Sequence, residues 1–188
     1  TSVAVYEKNG DYALGIFSSK WCCFLDRASW RLCATDDNQA ALTCGRWLCH
    51  ESCWEMAKEA IHSGHVVDRE CIGGIRIYAV PIQTEEEVIG AINIGYGDPP
   101  RQRTKLQELA ATYHVDVDDL FACSYDYESR PQFIIDLAKK RTQAAARLIG
   151  EIVQRKQAEQ KLQATLEEYE TVFQSTHEAM FLVEVIQG

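Results

Sequence analysis

The chain has 188 residues, of which 46% are hydrophobic and 25% charged, a composition typical of a globular protein with one full domain and an extension. It contains no run of about 18 apolar residues, so the sequence predicts no membrane span, and no signal peptide is visible. The net charge of −9 argues against binding to nucleic acid, because that binding requires neutralisation of phosphates.

The first third of the chain predicts an N-terminal arm and two helices. Residues 1–16 form the arm, in which Asn9-Gly10 predicts either a hairpin turn or an ordered extension. Apolar residues at helical spacing, from Phe17 onward, predict a helix over 17–33. A second helix is predicted over 50–62, because Ser63-Gly64 is a typical helix end.

The middle of the chain predicts an antiparallel hairpin over 71–82 and 88–96. If Ile82 pairs with Val88, alternation divides the side chains between two faces. One face carries Arg76, Tyr78, Val80, Ile92 and Ile94. The other carries Cys71, Gly73, Ile75, Ile77, Ala79, Ala91, Asn93 and Gly95. Because most side chains on the second face are small, we expect space there for a ligand.

The last part of the chain predicts helices. Two are expected at 101–113 and 116–122, and a long one from Pro131 to Gln174. The long helix has an apolar heptad stripe with a stutter between Leu148 and Ile152. The stripe continues past the globular part, so we expect it to pair with the same helix of a second chain. The sequence thus predicts a homodimer through the C-terminal helix, weakened by charged residues on the stripe.

Seven of the eight cysteines lie between Cys22 and Cys71. The ample core favours a reduced, cytoplasmic compartment over a disulfide-dense secreted scaffold. Cys49 and Cys53 stand four apart at a helix start, and Cys71 begins the neighbouring strand. With Cys44 or His50 as a fourth ligand, these thiols could hold zinc or an iron–sulfur cluster. Simple packing, or thiols that line a pocket, are the other interpretations.

Residues 49–97 carry a recognisable set of motifs: Cys-His-Glu-Ser-Cys-Trp, Glu-Cys-Ile-Gly-Gly, Tyr-Ala-Val-Pro-Ile and Val-Ile-Gly-Ala-Ile-Asn-Ile-Gly-Tyr-Gly. This segment resembles the PocR-type ligand-binding domain, and the resemblance extends over roughly residues 17–153. A GAF domain would share only the hairpin. The resemblance implies an α+β fold with a PAS/GAF-like antiparallel sheet flanked by helices. It also implies that the sensory domain, residues 17–130, binds small hydrocarbon derivatives such as alcohols and diols.

A second segment, residues 155–184, resembles the linker and opening strand of a PAS domain. Residues 131–174 would then be the linker helix, and residues 175–188 the beginning of a truncated PAS domain. The resemblance implies that the chain is the input end of a larger sensor protein, such as a histidine kinase of a two-component system.

The residues around the cysteines fit a small organic ligand. Trp47 and Trp54 can supply apolar walls, and Cys71 can line the pocket. Hydrogen bonds can come from His50, Glu51, Glu70, Tyr78 and Asn93. Each has a simpler interpretation: Trp54 in the core, Glu51 stabilising a helix start, Tyr78 on the far face.

Thiol catalysis is not favoured. Cys49 and His50 are adjacent on a helix and point about 100° apart, and no residue can be assigned to orient the histidine. We therefore expect no catalytic residue in this chain.

Overall fold

A computed structural model describes residues 2–16 and 19–187, with side chains described up to residue 174 and Tyr12 excepted. Its centre is a five-stranded sheet in the order β2-β1-β5-β4-β3, with every neighbouring pair antiparallel. The strands are β1 (Val3–Glu7), β2 (Tyr12–Ile16), β3 (Val67–Glu70), β4 (Arg76–Gln83) and β5 (Val88–Tyr96). The helices are α1 (Lys20–Arg31), α2 (Asn38–Thr43), α3 (Leu48–Ser63), α4 (Arg103–Tyr113), α5 (Val117–Tyr125) and α6 (Gln132–Gln187). The predicted α+β, PAS/GAF-like class is confirmed.

The N-terminal segment forms the hairpin of strands β1 and β2. Gly10 has a φ of +95°, and Asn9 Oδ1 accepts a hydrogen bond from the Asp11 amide at 3.0 Å, so this turn closes the hairpin. Strand β1 also pairs with β5, with Val3 opposite Ile94. The N-terminal segment is thus part of the central sheet. Phe17, which the sequence placed in the first helix, lies outside the described residues.

The central hairpin differs from the prediction in two ways. Residues 71–75 form a turn before β4, in which the Gly74 amide donates to the Cys71 carbonyl at 2.9 Å. Ile82 pairs with Gly90 and not with Val88, because the register shifts between Ile82 and Gln83. The two predicted faces survive, because a displacement of two residues preserves the alternation of side chains. Strand β3, which the sequence did not predict, extends the sheet beyond β4.

The inner face of the sheet packs against α3. Ile77, Ala79 and Ala91 form a core cluster with Met56, Ala57 and Ala60 of that helix. Helix α3 ends at Gly64, whose φ is +67° and whose amide donates to the Ala60 carbonyl at 3.0 Å, as the Ser63-Gly64 pair predicted. A second cluster joins α1, α4 and α5 around Trp21, Leu25, Leu106 and Tyr113.

The outer face of the sheet packs against the first five turns of α6. Ala138, Ala146 and Ile149 contact the cluster that includes Tyr78, Val80, Ile92 and Ile94. A Cβ added at Gly150 would lie 1.9 Å from the Gln83 carbonyl oxygen, so the helix backbone approaches the strand very closely. This small-residue face explains why α6 can lie directly on the sheet.

The chain divides into two compact units, residues 1–150 and 151–188. In the second unit α6 continues to Gln187, and the opening PAS strand predicted within 179–184 is helical instead. The predicted apolar stripe is exposed, at Leu137, Leu148, Ile152, Leu162, Leu166, Tyr169 and Phe173. None of the helices within the described residues is long and apolar enough to cross a membrane.

Candidate functional site

A cavity lies between the inner face of the sheet and helices α1 and α3. Measured as the space open to the centre of a water molecule, its volume is about 50 Å³. By that measure a single water needs about 10–15 Å³, so the cavity has room for a molecule of a few heavy atoms. Its walls are mainly apolar and include Trp21, Leu25, Ile72, Ile75 and Ile77.

Asn93 lines this cavity and carries a buried hydrogen-bond acceptor. Its side chain is only 3% exposed, and its Nδ2 donates to the Cys53 carbonyl at 2.8 Å. Since a carbonyl can only accept, this bond fixes the orientation of the amide. The Oδ1 atom is buried and has no hydrogen-bond partner among the described residues. Leaving such an atom unpaired costs about 1–3 kcal/mol, which a ligand donor would recover.

Ser2 adds a second unpaired polar group. Its side chain is buried, it lines the same cavity, and its Oγ has no hydrogen-bond partner in the described part of the chain. The Ser2 carbonyl accepts from the Gly95 amide at 2.9 Å, which holds the residue against strand β5.

Asp26 is the acidic residue of the cavity wall. Its Oδ1 accepts a hydrogen bond from Trp47 Nε1 at 2.8 Å. Burial raises the pKa of this carboxyl above its ordinary value, although the Trp47 hydrogen bond and the charge of Arg27 oppose the rise. The carboxylate retains unused acceptor capacity, because one N–H occupies one of its lone pairs.

Four thiols line the cavity: Cys22, Cys49, Cys53 and Cys71. None of them forms a disulfide. Burial raises the pKa of Cys49 to about 12 and also raises the pKa of Cys53 and Cys71. The Cys49 Sγ lies 3.6 Å from the Tyr113 hydroxyl. Cys49, Cys53 and Cys71 are therefore protonated at neutral pH, which makes them poor nucleophiles, and each must lose its proton to bind a metal.

The predicted metal site has limited geometric support. Cys49, Cys53 and Cys71 share the cavity, but the residues described contain no group of three or more His, Cys, Asp or Glu side chains arranged to hold a metal ion. Cys44, one predicted fourth ligand, is bonded to Cys33 in a disulfide and is therefore not available to bind a metal.

Of the eight predicted ligand-binding residues, Cys71 and Asn93 line the cavity. Trp47 does not line the cavity. Its Nε1 donates a hydrogen bond to Asp26 Oδ1, and the centre of its ring lies 5.3 Å from that of His50. His50 is buried between the Trp47 and Tyr6 rings, and burial lowers its pKa to about 4.

The remaining four predicted residues lie elsewhere. Trp54 stacks on Tyr6 at 5.6 Å and, with Glu51, lines a surface groove. Glu70 is exposed at the end of β3. Tyr78 lies on the opposite face of the sheet, where its hydroxyl accepts from Gln143 Nε2 at 2.7 Å.

One wall separates the cavity from that surface groove. Ser52 and Ile72 line both spaces, and the Ile72 amide donates to Ser52 Oγ at 3.1 Å. Ile72 is exposed, so the turn that carries it borders both solvent and the cavity.

Sequence reasoning missed Ser2, Asp26 and Cys22 as cavity residues. A signal existed for two of them, since Cys22 and Asp26 are four apart and share a face of α1 with apolar neighbours. No signal existed for Ser2, because its position depends on the pairing of β1 with β5.

The comparisons identify the family. Residues 30–160 match the family model described as the sensory domain found in PocR. The chain belongs to the PocR sensory-domain family. No curated protein and no solved structure matches it. The match confirms the resemblance inferred from residues 49–97, and in this PocR domain it includes α3 and the β4–β5 hairpin but begins after Asp26. The chain thus contains a sensory domain.

Proposed function

We propose that this PocR domain binds a small organic molecule, such as an alcohol, a diol or a related hydrocarbon derivative, in the thiol-lined cavity. The observation that carries the proposal is the largely apolar cavity lined by Asn93, whose buried Oδ1 has no hydrogen-bond partner among the described residues. An apolar pocket with a few placed polar groups is the usual form of a small-molecule site.

The alternation along β5 supports a route for the signal. Asn93 faces the cavity, whereas its neighbours Ile92 and Ile94 belong to the cluster that packs against α6. A ligand that shifts Asn93 would therefore also shift the surface on which α6 rests. Through α6 the domain would signal to downstream output domains, with PAS and histidine kinase domains as candidates.

Homodimerisation through α6 is part of the same proposal. The exposed stripe of Leu162, Leu166, Tyr169 and Phe173 supports it, because an exposed apolar seam is unfavourable by about 25 cal/mol per Å². We further propose that the domain acts in the cytoplasm and has no enzymatic activity of its own.

A thermal-shift screen with small alcohols, diols, aldehydes, amines and aromatics tests the binding proposal. A ligand at 100 times its Kd stabilises by about 2.7 kcal/mol, which raises the Tm by roughly 5–10 °C in a domain of this size. Asn93→Leu should abolish the shift, whereas Asn38→Leu, on the exposed surface of α2, should leave it unchanged. If no compound class stabilises the wild-type protein, the proposal is wrong.

The metal-bearing redox sensor is the second candidate. It is favoured by the convergence of Cys49, Cys53 and Cys71 on one cavity and opposed by their raised pKa values. The test is the metal content and visible spectrum of protein purified without oxygen. Stoichiometric zinc, or the brown colour of an iron–sulfur cluster, lost in Cys53→Ser, would support it.

A further inference from the structure

The polar groups of the cavity show what kind of ligand it can hold. Asn93 Oδ1 and the Asp26 carboxylate can only accept hydrogen bonds, and the Ser2 hydroxyl can accept or donate. Among the described residues that line the cavity there is no lysine, arginine or histidine. Apart from the Ser2 hydroxyl and the weakly donating thiols, a bound molecule must therefore supply the hydrogen-bond donors.

Four backbone amides around the cavity add no free donor to this set, because each already donates a hydrogen bond within the protein. The Cys71 amide donates to the Ile75 carbonyl at 2.7 Å, and the Ile72 amide donates to Ser52 Oγ. The Gly95 amide donates to the Ser2 carbonyl, and the Cys49 amide lies 3.4 Å from Ser29 Oγ. A carboxylate or phosphate ligand would find no cation and few free donors here.

On this basis we infer that the ligand class of the cavity is a small alkylammonium ion, held by Asp26 and by Asn93 Oδ1. The inference rests on the proposed function and narrows its ligand class from hydrocarbon derivatives in general to amines. An ammonium group has three donors, and the cavity lining offers acceptors on both sides, Asp26 on α1, and Asn93 and Ser2 at the sheet. Hydrogen bonds between an ammonium and a carboxylate are also stronger than those of a neutral hydroxyl.

The rest of the cavity suits the alkyl part of such a ligand. Trp21, Leu25, Ile75 and Ile77 provide apolar surface, and the volume of about 50 Å³ limits the ligand to a few heavy atoms. The described residues contain no ion pair of Asp26 that a ligand would have to break. Burial raises the pKa of this carboxyl despite the charge of Arg27, so a cationic group beside it would be stabilising.

Three probes of similar size test the inference: propan-1-amine, propan-1-ol and propionate, titrated by calorimetry at pH 7.5 into the full chain. We expect the amine to bind at least about tenfold more tightly than the alcohol, equivalent to ~1.4 kcal/mol, and propionate not to bind. Asp26→Asn should weaken amine binding by at least about tenfold and change alcohol binding by less than about twofold. Asp36→Asn, which removes an exposed carboxylate, is the matched control.

Asparagine at position 26 keeps an oxygen for the Trp47 N–H, so the variant should fold. If it does not, the ranking of the three probes on the wild-type protein still decides the inference. An alcohol that binds as tightly as the amine, or amine binding that Asp26→Asn leaves unchanged, overturns it while the proposed function stands. Failure of the amine to bind also overturns it, and the broader screen then decides whether the cavity binds any small molecule.

Discussion

Lys139 of α6 reaches Asp68 of β3, with its Nζ 2.7 Å from the Asp68 Oδ2 atom. The same ammonium lies 4.1 Å from the centre of the Tyr96 ring, and Asp68 also accepts from the Tyr96 hydroxyl at 2.6 Å. Burial alone would raise the pKa of Asp68, but hydrogen bonds from Lys139, Tyr96 and Arg76 hold it below its ordinary value. The pair thus fixes the start of α6 to the edge of the sheet.

Replacing this lysine should loosen the contact of α6 with the sheet. Lys139→Met keeps the length of the side chain but removes the charge, leaving a carboxylate that is 29% exposed without its ammonium. We expect a loss of about 1–2 kcal/mol in the free energy of unfolding, measured by urea denaturation. Lys140→Met, at an exposed position one residue on, should change it by less than about 0.5 kcal/mol. Equal effects of the two substitutions would contradict the role of the pair.

His50 should make the domain sensitive to acid well above the range in which carboxylates titrate. Its pKa is lowered by burial to about 4, against an ordinary value of 6.5. Above pH 6.5 the residue is neutral in both the folded and unfolded states. As the pH falls towards 4 the unfolded state takes up the proton and the folded state does not, so stability is lost.

Between pH 7.5 and 5 this difference should destabilise the wild-type protein by about 2 kcal/mol relative to His50→Gln. The measurement is chemical denaturation of both proteins at the two pH values. His62→Gln, at an exposed position, serves as the control and should show the wild-type pH dependence. A His50→Gln variant with the same pH dependence as the wild type would show that His50 is protonated in the fold.

Gly150 should tolerate no side chain, although it lies within a helix. Glycine to alanine at an open helix position normally stabilises by roughly 1 kcal/mol. Here the added Cβ would meet the Gln83 carbonyl oxygen at 1.9 Å, so either α6 or β4 must move. We expect Gly150→Ala to lower the free energy of unfolding by about 2 kcal/mol or more. A stabilised variant in thermal unfolding would show that the helix does not lie on the strand this closely.

The exposed stripe of α6 should support a concentration-dependent dimer. Leu162→Glu combined with Leu166→Glu should abolish it, because the two charges lie on the apolar seam. Sedimentation velocity across a range of concentrations measures the change, and the Tm of the sensory domain should remain the same. Gln157→Glu with Gln160→Glu adds the same charge off the stripe and should preserve the dimer. A wild-type chain that stays monomeric at high concentration would refute the pairing.

Local patterns were sufficient for much of the fold. Alternation along residues 76–83 and 88–96 predicted the two strands and the two faces, because side-chain direction in a strand depends only on position. It therefore placed Asn93 on the face of the sheet that borders the cavity. Ser63-Gly64 predicted the end of α3, and the heptad spacing of α6 predicted the stripe that proves exposed.

The members of the site were harder to predict, because they meet through long-range pairing. Tyr78 could not be excluded until α6 covered its face, and Trp54 and Glu51 turn towards the surface on the same helix that brings Cys49 and Cys53 inward. Asp26 enters the cavity wall only because α1 packs against α3 and the β3–β4 turn. The propensities of single residues contain no information about such contacts.

The sequence by itself determined the family, the α+β class, the β4–β5 hairpin and the cysteine-rich character of the site, because these depend on local order and on motifs. Only the tertiary structure decided which atoms face the cavity. It joined Ser2 to β5, left Asn93 Oδ1 without a partner in the described part of the chain, and brought Lys139 to Asp68 across 71 positions of the sequence. The physical reason is that packing depends on the joint burial of distant elements, which no single segment of the chain specifies.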